Sequence, residues 1–499
     1  MSESIKVTID GKELTVPKGT SVIEATEMMG VEIPRFCWHP GLSVAGVCRF
    51  CMVKIEGMPK LQIACNTTCT DGMKIITQAQ EVKEAHKWAL EFHLINHPLD
   101  CPICDQAGEC ELQNYYMKVG KYDSQMEENK VLKPKALDVG RELVLDTERC
   151  ILCSRCVRFE DEVTKTKSLG IFNRGDHSII GTFPNKKIDH NYSYNLVDIC
   201  PVGAFTSKDF RFKCRVWFLK ETPSICPGCS TGCNVTLFQN RNNREYYRLK
   251  PRRNKDVNGF WMCDDGRHMF SHVNALERTQ NILHNNQPVL WKDAKSFFEK
   301  EFLKLKVTPQ LTSKKVDPDE ASQQVLFILT PQYTNEEYDV IFNFMKNKFS
   351  ETSKAFVWYN SHQSKEKFDG ILRRGDSNAN TTGLIQKAKE HSVNLEFLDE
   401  DMSNVLQSNN EVTVVFGPEI STSYKNFQND LKKISELKNV LYFGSGKSEH
   451  FSRFHIYVPT LTFAEKNGTY TNHNGMEQKL KSNPPVFFGM FGLEDILIN

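Results

Sequence analysis

The sequence predicts an α+β protein of several domains, and three observations support that prediction. The chain has 499 residues, which is enough for about three or four domains. All 17 cysteines lie at or before position 263. Beyond residue 280, short apolar runs alternate with amphipathic segments, a pattern typical of an α/β domain with a largely parallel sheet. We therefore expect several small cysteine-bearing domains followed by one larger α/β domain.

Charge and hydropathy exclude several classes of protein. The chain has 63 lysine and arginine residues and 62 aspartate and glutamate residues, so its formal net charge is +1. This balance gives no reason to expect nucleic-acid binding. The chain contains no run of about 18 apolar residues that would span a bilayer. Residues 1–10 resemble neither a secretory signal nor an arginine-rich transit peptide, so we expect neither. In a reducing compartment, recurring Cys-x-x-Cys spacings indicate metal sites rather than disulfides.

The first 96 residues predict a hairpin, two helices and two returning strands. Alternating apolar residues flank Asp10-Gly11, which is a strong hairpin signal. Ser21 and Glu24 fit a capping box that opens a short helix. Strand patterns at 51–55 and 61–64 follow a loop that carries the first cysteines. A helical pattern over 81–96 is expected to end at His97-Pro98, because the residue before a proline disfavours helix.

The α/β prediction for residues 280–499 rests on five apolar runs and two amphipathic segments. The expected strands are 325–329, 355–359, 412–416, 440–443 and 455–458, and the expected helices are 335–349 and 425–437. Residues 306–323 are rich in Lys, Pro, Ser and Asp and indicate a loop. Gly444-Ser445-Gly446 is expected to be a strand-end turn, because a convincing GxGxxG after a strand is absent.

Fifteen cysteines and one histidine fall into four groups whose spacing is that of iron–sulfur sites. The groups are Cys37, Cys48, Cys51 and Cys65 (the first group); His97, Cys101, Cys104 and Cys110 (the second); Cys150, Cys153, Cys156 and Cys200 (the third); and Cys226, Cys229, Cys233 and Cys263 (the fourth). Cys69 and Cys214 are left over. Zinc is the alternative, since one four-cysteine set could form a zinc ribbon. Four sets, two of them with ferredoxin-type spacing, disfavour it.

The first group predicts a [2Fe–2S] cluster, which needs four thiolates on two irons. The order of elements, a hairpin, a helix, a cysteine loop and returning strands, resembles that of a plant-type ferredoxin of the β-grasp fold. The ten-residue gap after Cys37 is longer than in that family. Cys69 competes with Cys65 as the fourth ligand. We favour Cys65, because residues 64–67 followed by Asp71-Gly72-Met73 resemble the fourth-ligand segment of respiratory NADH dehydrogenases.

The second group supplies only three thiolates, which leaves one iron of a [4Fe–4S] cube without a cysteine. A histidine before a proline would by itself be a helix-end residue. However, residues 96–110 closely resemble the large iron–sulfur subunit (the G type) of bacterial NADH:quinone oxidoreductase, complex I, and in that family this histidine is a ligand. A neutral imidazole in place of a thiolate makes a cluster less negative and raises its potential.

The third group is half of a two-cluster ferredoxin motif. Such a ferredoxin would place a cysteine at 160, where this chain has Glu160. The partner motif, which ends at Cys200-Pro201, would need three more cysteines at the positions of His190, Ser193 and Leu196. Because the last cysteine of one motif binds the cluster of the other, Cys200 completes the cube of Cys150, Cys153 and Cys156. One [4Fe–4S] site therefore remains and the other has lost its ligands.

The fourth group predicts another [4Fe–4S] site and resembles the cluster lobe of molybdopterin oxidoreductases. Residues 258–267 and 462–472 support that resemblance. A zinc ribbon stays open as the alternative for this set. No cysteine follows Cys263, and the domain beyond 280 looks too short to enclose two pterins, so we expect no molybdopterin.

The resemblance to the complex I subunit is specific over residues 1–275 and thin beyond 280. It implies five parts: a β-grasp [2Fe–2S] ferredoxin-like domain (1–78), a helical [4Fe–4S] segment with one histidine and three cysteines (79–120), a bacterial-ferredoxin-like [4Fe–4S] domain (140–215), a four-cysteine [4Fe–4S] lobe (220–275) and a shortened molybdopterin-oxidoreductase-like α/β domain (280–499). Mitochondrial members generally lack the fourth group, so the resemblance implies a bacterial protein.

The implied function is electron transfer within an NADH:quinone oxidoreductase that couples the reaction to ion translocation, with no complete catalytic site in this chain. The implied partners are the flavin/NADH-binding subunit and the quinone-side iron–sulfur subunits. The implied location is the cytoplasmic face of the bacterial inner membrane, with membrane contact only through the complex. The alternative is an electron-transfer subunit of a soluble NAD-linked hydrogenase or of a formate dehydrogenase, and the length of the α/β part disfavours both.

Overall fold

A computed structural model describes residues 3–121, 123, 126–276, 278–304, 325–349, 354–360, 367–398, 402–406, 410–424, 426–446, 448–487 and 490–497. The loop expected at 306–323 lies outside these ranges. The chain divides into two compact units, Met1–Trp217 and Phe218–Asn499. Within the described ranges, no helix is both long and apolar enough to cross a bilayer.

The first unit begins with a five-stranded sheet crossed by one helix. Its elements are β1 (Ser4–Ile9), β2 (Lys12–Pro17), α1 (Val22–Met28), β3 (Met52–Ile55), β4 (Gln62–Ile63) and β5 (Met73–Ile76), with the strand order β2-β1-β5-β3-β4. The hairpin at Asp10-Gly11 is confirmed, with Ile9 opposite Lys12. Both hydrogen bonds of the capping box are present, since the Ser21 side chain accepts from the Glu24 amide and the Glu24 carboxylate accepts from Ser21 N.

The rest of the first unit is built from short helices and small sheets around the cysteine segments. The elements are α2 (Gln80–Leu94), α3 (Glu111–Val119), β6 (Leu137–Asp138), β7 (Leu143–Leu145), α4 (Arg155–Glu162), β8 (Leu169–Phe172), β9 (Ile179–Thr182), α5 (Asn195–Ile199) and β10 (Phe205–Ser207). Strands β10-β7-β6 form one antiparallel sheet and β8-β9 another. Helix α2 ends before His97-Pro98, as predicted.

The second unit opens with an antiparallel sheet that carries the fourth cysteine group. Its elements are β11 (Leu219–Ile225), β12 (Asn234–Asn240), β13 (Tyr246–Pro251), α6 (Asp264–Arg267) and α7 (Phe270–Asn274). Strand β12 lies in the centre and pairs with β11 and β13. The turn between β11 and β12 and the start of α6 hold the four cysteines.

The remainder of the second unit is the predicted α/β domain. Its elements are β14 (Ile282–His284), β15 (Gln287–Val289), α8 (Ala294–Lys304), β16 (Val325–Leu329), α9 (Asn335–Lys348), β17 (Lys354–Val357), α10 (Thr381–Glu390), β18 (Asn394–Phe397), α11 (Ser403–Leu406), β19 (Val412–Phe416), α12 (Phe427–Ile434), β20 (Val440–Gly444), β21 (Ile456–Pro459), β22 (Gly468–Thr471), β23 (Glu477–Leu480) and α13 (Leu493–Leu497). Strands β16 to β21 are parallel, and β14 and β15 extend the sheet antiparallel at one edge. All five predicted strands and both predicted helices are present.

The parallel strands are apolar on both sides because helices cover both faces of the sheet. Phe327 and Leu329 pack with residues of α8, α9, α10 and α13, whereas Leu326 and Ile328 pack with residues of α11 and α12. The order of the parallel strands is β18-β17-β16-β19-β20-β21, so the direction of winding reverses between β16 and β19. In open α/β sheets, ligands bind at the carboxyl ends of the strands at such a reversal.

Candidate iron–sulfur sites

The four thiols of the first group converge in the β-grasp part of the first unit. All four cysteines are buried. The side chain of Cys37 is hydrogen-bonded to those of Cys48 and Cys65, and the side chain of Cys51 to that of Cys65. The carbonyl of Cys51 accepts from Ala64 N at 2.8 Å, which holds the turn carrying Cys65 against the start of β3. One loop, one strand start and one distant turn therefore supply four thiols to one point.

Cys69, the sequence alternative to Cys65, has a different environment. Its backbone N donates to Thr20 O at 2.9 Å, which places the residue beside the start of α1. Burial and the carboxylate of Glu24 raise the pKa of Cys69 to about 11. Cys65, by contrast, interacts with the thiols of Cys37 and Cys51.

The second group lies around a 3₁₀ turn, Cys101–Ile103, and the start of α3. Cys104 and Cys110 are buried, and burial raises the pKa of Cys110 to about 12, with a further contribution from Cys104. His97 is buried and its Nδ1 has no hydrogen-bond partner within the described part of the chain. Burial lowers the pKa of His97 to about 4, so the ring is neutral at pH 7. A neutral imidazole with an unpartnered buried nitrogen fits a metal ligand.

Residues 200–203 lie next to both the second and the third groups. Cys110 Sγ is 3.8 Å from Pro201 O, and a Cβ on Gly203 would collide with Cys104 Sγ. Glycine is therefore required where the backbone passes close to the Cys104 thiol. Cys200, at the start of the same segment, is the fourth residue of the third group, so four successive residues border two sites.

The third group lies in a loop of unusual backbone conformation. Leu152 and Ser154 have φ angles of 55° and 60°, in the left-handed region that non-glycine residues rarely adopt. Leu152 N donates to Cys150 Sγ at 3.4 Å. Burial raises the pKa of Cys156 well above its usual value, and the three other thiols of the group raise it further. The four thiols thus lie close together inside the protein.

Two of the positions that would have held a second cube are joined by a buried glutamate–histidine contact. His190 Nε2 lies 2.6 Å from Glu160 Oε1, and Glu160 is fully buried. Burial opposes ionisation of Glu160, but hydrogen bonds from His190, Thr166 and Ser168 outweigh it and lower the pKa of the carboxyl. A second cube would need cysteines at four positions of this chain, and the residues at two of them, Glu160 and His190, contact each other instead. They leave no vacant ligand set there.

Arg155 joins three cysteine segments, a role that no motif in the sequence indicates. Its guanidinium donates to Trp38 O at 2.9 Å and Ile199 O at 3.0 Å, and it lies 3.3 Å from the Glu111 carboxylate. Each partner is adjacent in sequence to a candidate ligand, namely Cys37, Cys200 and Cys110. Arg155 is buried. A single cation therefore ties the first, second and third groups together.

Arg149 makes a second connection of this kind. Its Nε and Nη2 donate to the two carboxylate oxygens of Asp100 at 3.0 and 2.6 Å. The hydrogen bonds from Arg149 are the main reason why the pKa of Asp100 is lowered. Arg149 precedes Cys150 and Asp100 precedes Cys101, so the pair fixes the third group against the second. Spacing alone could not reveal either arginine, because the partners lie more than 40 residues away along the chain.

The fourth group is assembled by the turn after β11 and the start of α6. Cys226 N donates to Cys233 O at 2.8 Å, which closes the turn. Cys263 precedes α6, and a Cβ on Gly266 would lie 3.0 Å from Cys226 Sγ and 3.5 Å from Cys263 Sγ. Burial raises the pKa of Cys226 to about 12, with a contribution from Cys229. The four buried thiols again converge.

Four family models match the chain in the order of these groups. A 2Fe-2S iron-sulfur cluster binding domain matches residues 2–80, and the NADH-ubiquinone oxidoreductase-G iron-sulfur binding region matches 87–125. The ferredoxin-like domain of NADH-quinone oxidoreductase subunit 3 matches 140–206, and the molybdopterin oxidoreductase Fe4S4 domain matches 219–275. These matches confirm that the chain carries 2Fe–2S and 4Fe–4S binding domains.

Curated relatives match more than half of the chain. The G subunit of NADH-quinone oxidoreductase from Streptomyces coelicolor is 41% identical over 297 residues, covering 58% of this chain and 35% of the relative. The G subunit from Mycobacterium tuberculosis is 42% identical over 273 residues, covering 54% and 34%. The mitochondrial NADH dehydrogenase [ubiquinone] iron-sulfur protein 1 of Solanum tuberosum is 40% identical over 296 residues, covering 58% and 39%. The chain thus spans between a third and two fifths of the length of these relatives.

A solved structure, that of NAD+-reducing [NiFe]-hydrogenase in the H2-reduced state, contains a chain that is 27% identical. The match covers 43% of this chain and 92% of that chain, with a TM-score of 0.39. The family models and the curated relatives agree with the resemblance carried by the cysteine pattern. Over the matched part, this chain is therefore similar to the G subunits of NADH-quinone oxidoreductase.

Proposed function

We propose that the chain is an electron-transfer subunit of a respiratory NADH:quinone oxidoreductase. It receives electrons from a flavin- and NADH-binding subunit and passes them towards quinone-side iron–sulfur subunits, in a complex that couples the reaction to ion translocation. The observation that carries the proposal is the linkage of three cysteine groups, through Arg155 and through residues 200–203. Carriers held in one rigid, connected series are what stepwise electron transfer requires.

The ligand sets that we propose rest on the spacing of the cysteines, supported in the first, third and fourth groups by interactions among the thiols. We assign Cys37, Cys48, Cys51 and Cys65 to a [2Fe–2S] cluster, and His97, Cys101, Cys104 and Cys110 to a [4Fe–4S] cluster. We assign Cys150, Cys153, Cys156 and Cys200, and also Cys226, Cys229, Cys233 and Cys263, to two further [4Fe–4S] clusters. When bound, such clusters supply one-electron carriers. Residues of this chain hold them, exclude water and set the local charge.

Positive charge and amide donors surround the candidate ligands. Arg149 and Arg155 are buried beside the second and third groups, and Leu152 N donates to the sulfur of Cys150. Cations and N–H···S hydrogen bonds stabilise thiolate and raise the potential of a cluster. In the proposed series, the first group receives electrons from the flavin subunit, and they then pass the third and second groups. The fourth group lies off that series. We place the complex at the cytoplasmic face of a bacterial inner membrane.

The contacts at the carboxyl ends of β16 and β19, where the winding of the sheet reverses, support our proposal that the α/β domain binds no molybdopterin. Lys466 is buried there and bonds to the carboxylates of Glu337, in the first turn of α9, and Glu419, which follows β19. The Lys466 ammonium also lies 5.1 Å from the centre of the Tyr333 ring. These side chains fill the place where open α/β sheets bind ligands. We infer that residues of the chain itself take the position that a cofactor would occupy in this domain.

Elemental analysis tests the cofactor assignment. Four filled sites correspond to about 14 irons per chain, with sulfide in similar amount. We expect that content in the purified complex after subtraction of the iron bound by other subunits, and no stoichiometric molybdenum or tungsten. One equivalent of molybdenum would contradict the proposed function, and about four zinc ions without labile sulfide would contradict the cluster assignments.

The role of His97 is tested by the variant His97→Cys in the assembled complex. We expect a four-iron EPR signal to persist with a midpoint potential lowered by on the order of 100 mV, because a thiolate adds negative charge. The matched control is His93→Asn, since His93 Nδ1 bonds to Ala89 O at 2.6 Å within α2. The control should leave this potential unchanged. An unaltered potential in His97→Cys would return His97 to the role of a helix-end residue.

A further inference from the structure

Two histidines and a glutamate converge in the α/β domain, outside the four cysteine groups. His284 ends β14, Glu301 lies on α8, and His455 immediately precedes β21. Their potential ligand atoms all lie within 4.8 Å of one another. Glu301 Oε2 is 3.6 Å from His284 Nε2 and 3.4 Å from His455 Nε2.

The fold brings the three residues together from distant parts of the sequence. Strand β14 runs antiparallel to β21, with His284 opposite Ile456, and Asn285 N donates to His455 O at 3.0 Å. The two imidazole rings are therefore neighbours, with centroids 5.1 Å apart in an edge-to-face arrangement. Helix α8 follows the β14–β15 hairpin and places Glu301 beside both rings.

The distances within the cluster are compatible with a shared metal ion. A hydrogen bond between imidazole N–H and a carboxylate is about 2.7–3.2 Å long, and both contacts here are longer. In a tetrahedral zinc site the ligand atoms lie about 2.0–2.2 Å from the metal and therefore about 3.3–3.6 Å from one another. The two nitrogen-to-oxygen distances fall in that range.

Burial gives the same indication. The Glu301 side chain is 5% exposed, whereas His284 and His455 are 27% and 20% exposed. The carboxylate therefore lies on the protein side of the cluster and the two imidazoles on the solvent side. The partly exposed histidines leave a side open to water, which could supply a fourth ligand. The exposed amide of Asn285 lies 3.1 Å from His284 Nε2, and a bound metal would replace that contact.

We propose that His284, Glu301 and His455 bind a divalent cation of the zinc class, with water as the fourth ligand. Two imidazoles and one carboxylate form a ligand set that zinc accepts in proteins. The ion fastens α8 to the antiparallel edge of the sheet. This site is independent of electron transfer through the cysteine groups.

The test uses the full chain with its iron–sulfur sites loaded, so that the cysteines do not capture zinc. The protein is incubated with a small excess of ZnCl2, separated from free metal, and analysed for zinc and for its melting temperature. We expect the unaltered protein to retain about one zinc ion per chain and to melt at a higher temperature than without zinc. Glu301→Gln and His455→Asn should lose both effects.

The matched control is His391→Asn in the same domain. His391 Nε2 lies 2.9 Å from Asp339 Oδ1, an ordinary hydrogen-bond distance, so this variant should retain zinc. Equal zinc content in all variants would overturn the proposal. Zinc-edge X-ray absorption of the unaltered protein gives a second readout that needs no variant. Nitrogen and oxygen ligands alone support the site, and sulfur ligands would overturn it.

Discussion

The variant Cys153→Ala is expected to abolish NADH:quinone reductase activity in the assembled complex while leaving NADH:ferricyanide reductase activity in place. Cys153 is a buried member of the third group. The guanidinium of Arg158 donates to both Cys37 O and Cys153 O. The third group is therefore linked to the first through Arg158, and through its member Cys200 it includes the segment 200–203 that borders the second. Loss of this ligand set interrupts the proposed series after the point where ferricyanide can accept electrons. Both activities are measured on the same purified complex.

Cys214→Ala serves as the matched control for Cys153→Ala. Cys214 belongs to the same unit, is half-buried and lies outside the four groups. We expect the control to keep both activities. Full quinone reduction by Cys153→Ala, with its third cluster shown to be absent by EPR, would contradict the proposed order of the groups.

The variant Arg155→Met is expected to lower the free energy of unfolding of the first unit by roughly 2–5 kcal/mol. Methionine keeps much of the apolar stem but leaves the buried carbonyls of Trp38 and Ile199 without their donor, and each such loss costs about 1–3 kcal/mol. In a unit of this size the change corresponds to a melting temperature lower by roughly 5–15 °C. The measurement is the temperature at which the visible absorbance of the bound clusters disappears.

Arg35→Met is the control for Arg155→Met. Arg35 pairs with Glu27 on the same unit and lies 4.7 Å from the centre of the Trp38 ring, but its side chain is 23% exposed, whereas that of Arg155 is 5% exposed. Its removal should cost about 1 kcal/mol or less, a shift of a few degrees. Equal shifts in the two variants would show that Arg155 does not hold the cysteine segments together.

Local patterns in the sequence predicted those parts of the fold that are determined by neighbouring residues. Val325–Leu329 and Val412–Phe416 are strands with the predicted bounds, because fully buried parallel strands are continuous apolar runs. Helix α12 is shorter than its predicted range 425–437, since the amphipathic pattern extends past the residues that form helical hydrogen bonds. Boundaries depend on capping and packing, which the pattern does not specify.

Among the helices that the sequence analysis did not predict, α10 and α3 were missed for identifiable reasons. Helix α10 contains Gly383, which weakens a helical prediction, yet a side chain there would collide with Asn335 and Asn380. Tertiary packing thus selects glycine against local propensity. Helix α3 buries only Leu112 and Tyr115, too few apolar residues for a recognisable period.

The candidate sites were predicted as groups of ligands and not as a connected assembly. Spacing identifies which cysteines belong together, because each group lies mostly on one loop. The cations between the groups could not be predicted, since Arg155 contacts a residue 117 positions away in sequence. Likewise, His284, Glu301 and His455 are assembled only by the pairing of β14 with β21.

The Glu160–His190 pair constrains how the first unit could change by single mutations. A cysteine at position 160 alone would leave His190, only 12% exposed, without its carboxylate, and would remove the acceptor for Thr166 and Ser168. A cysteine at 190 alone would leave a buried carboxylate without its imidazole. Either substitution in the pair therefore destabilises the fold before any iron can bind. Because two of the four cysteines of a second cube would have to stand at positions 160 and 190, a path of single substitutions to a two-cube protein passes through at least one such destabilised chain.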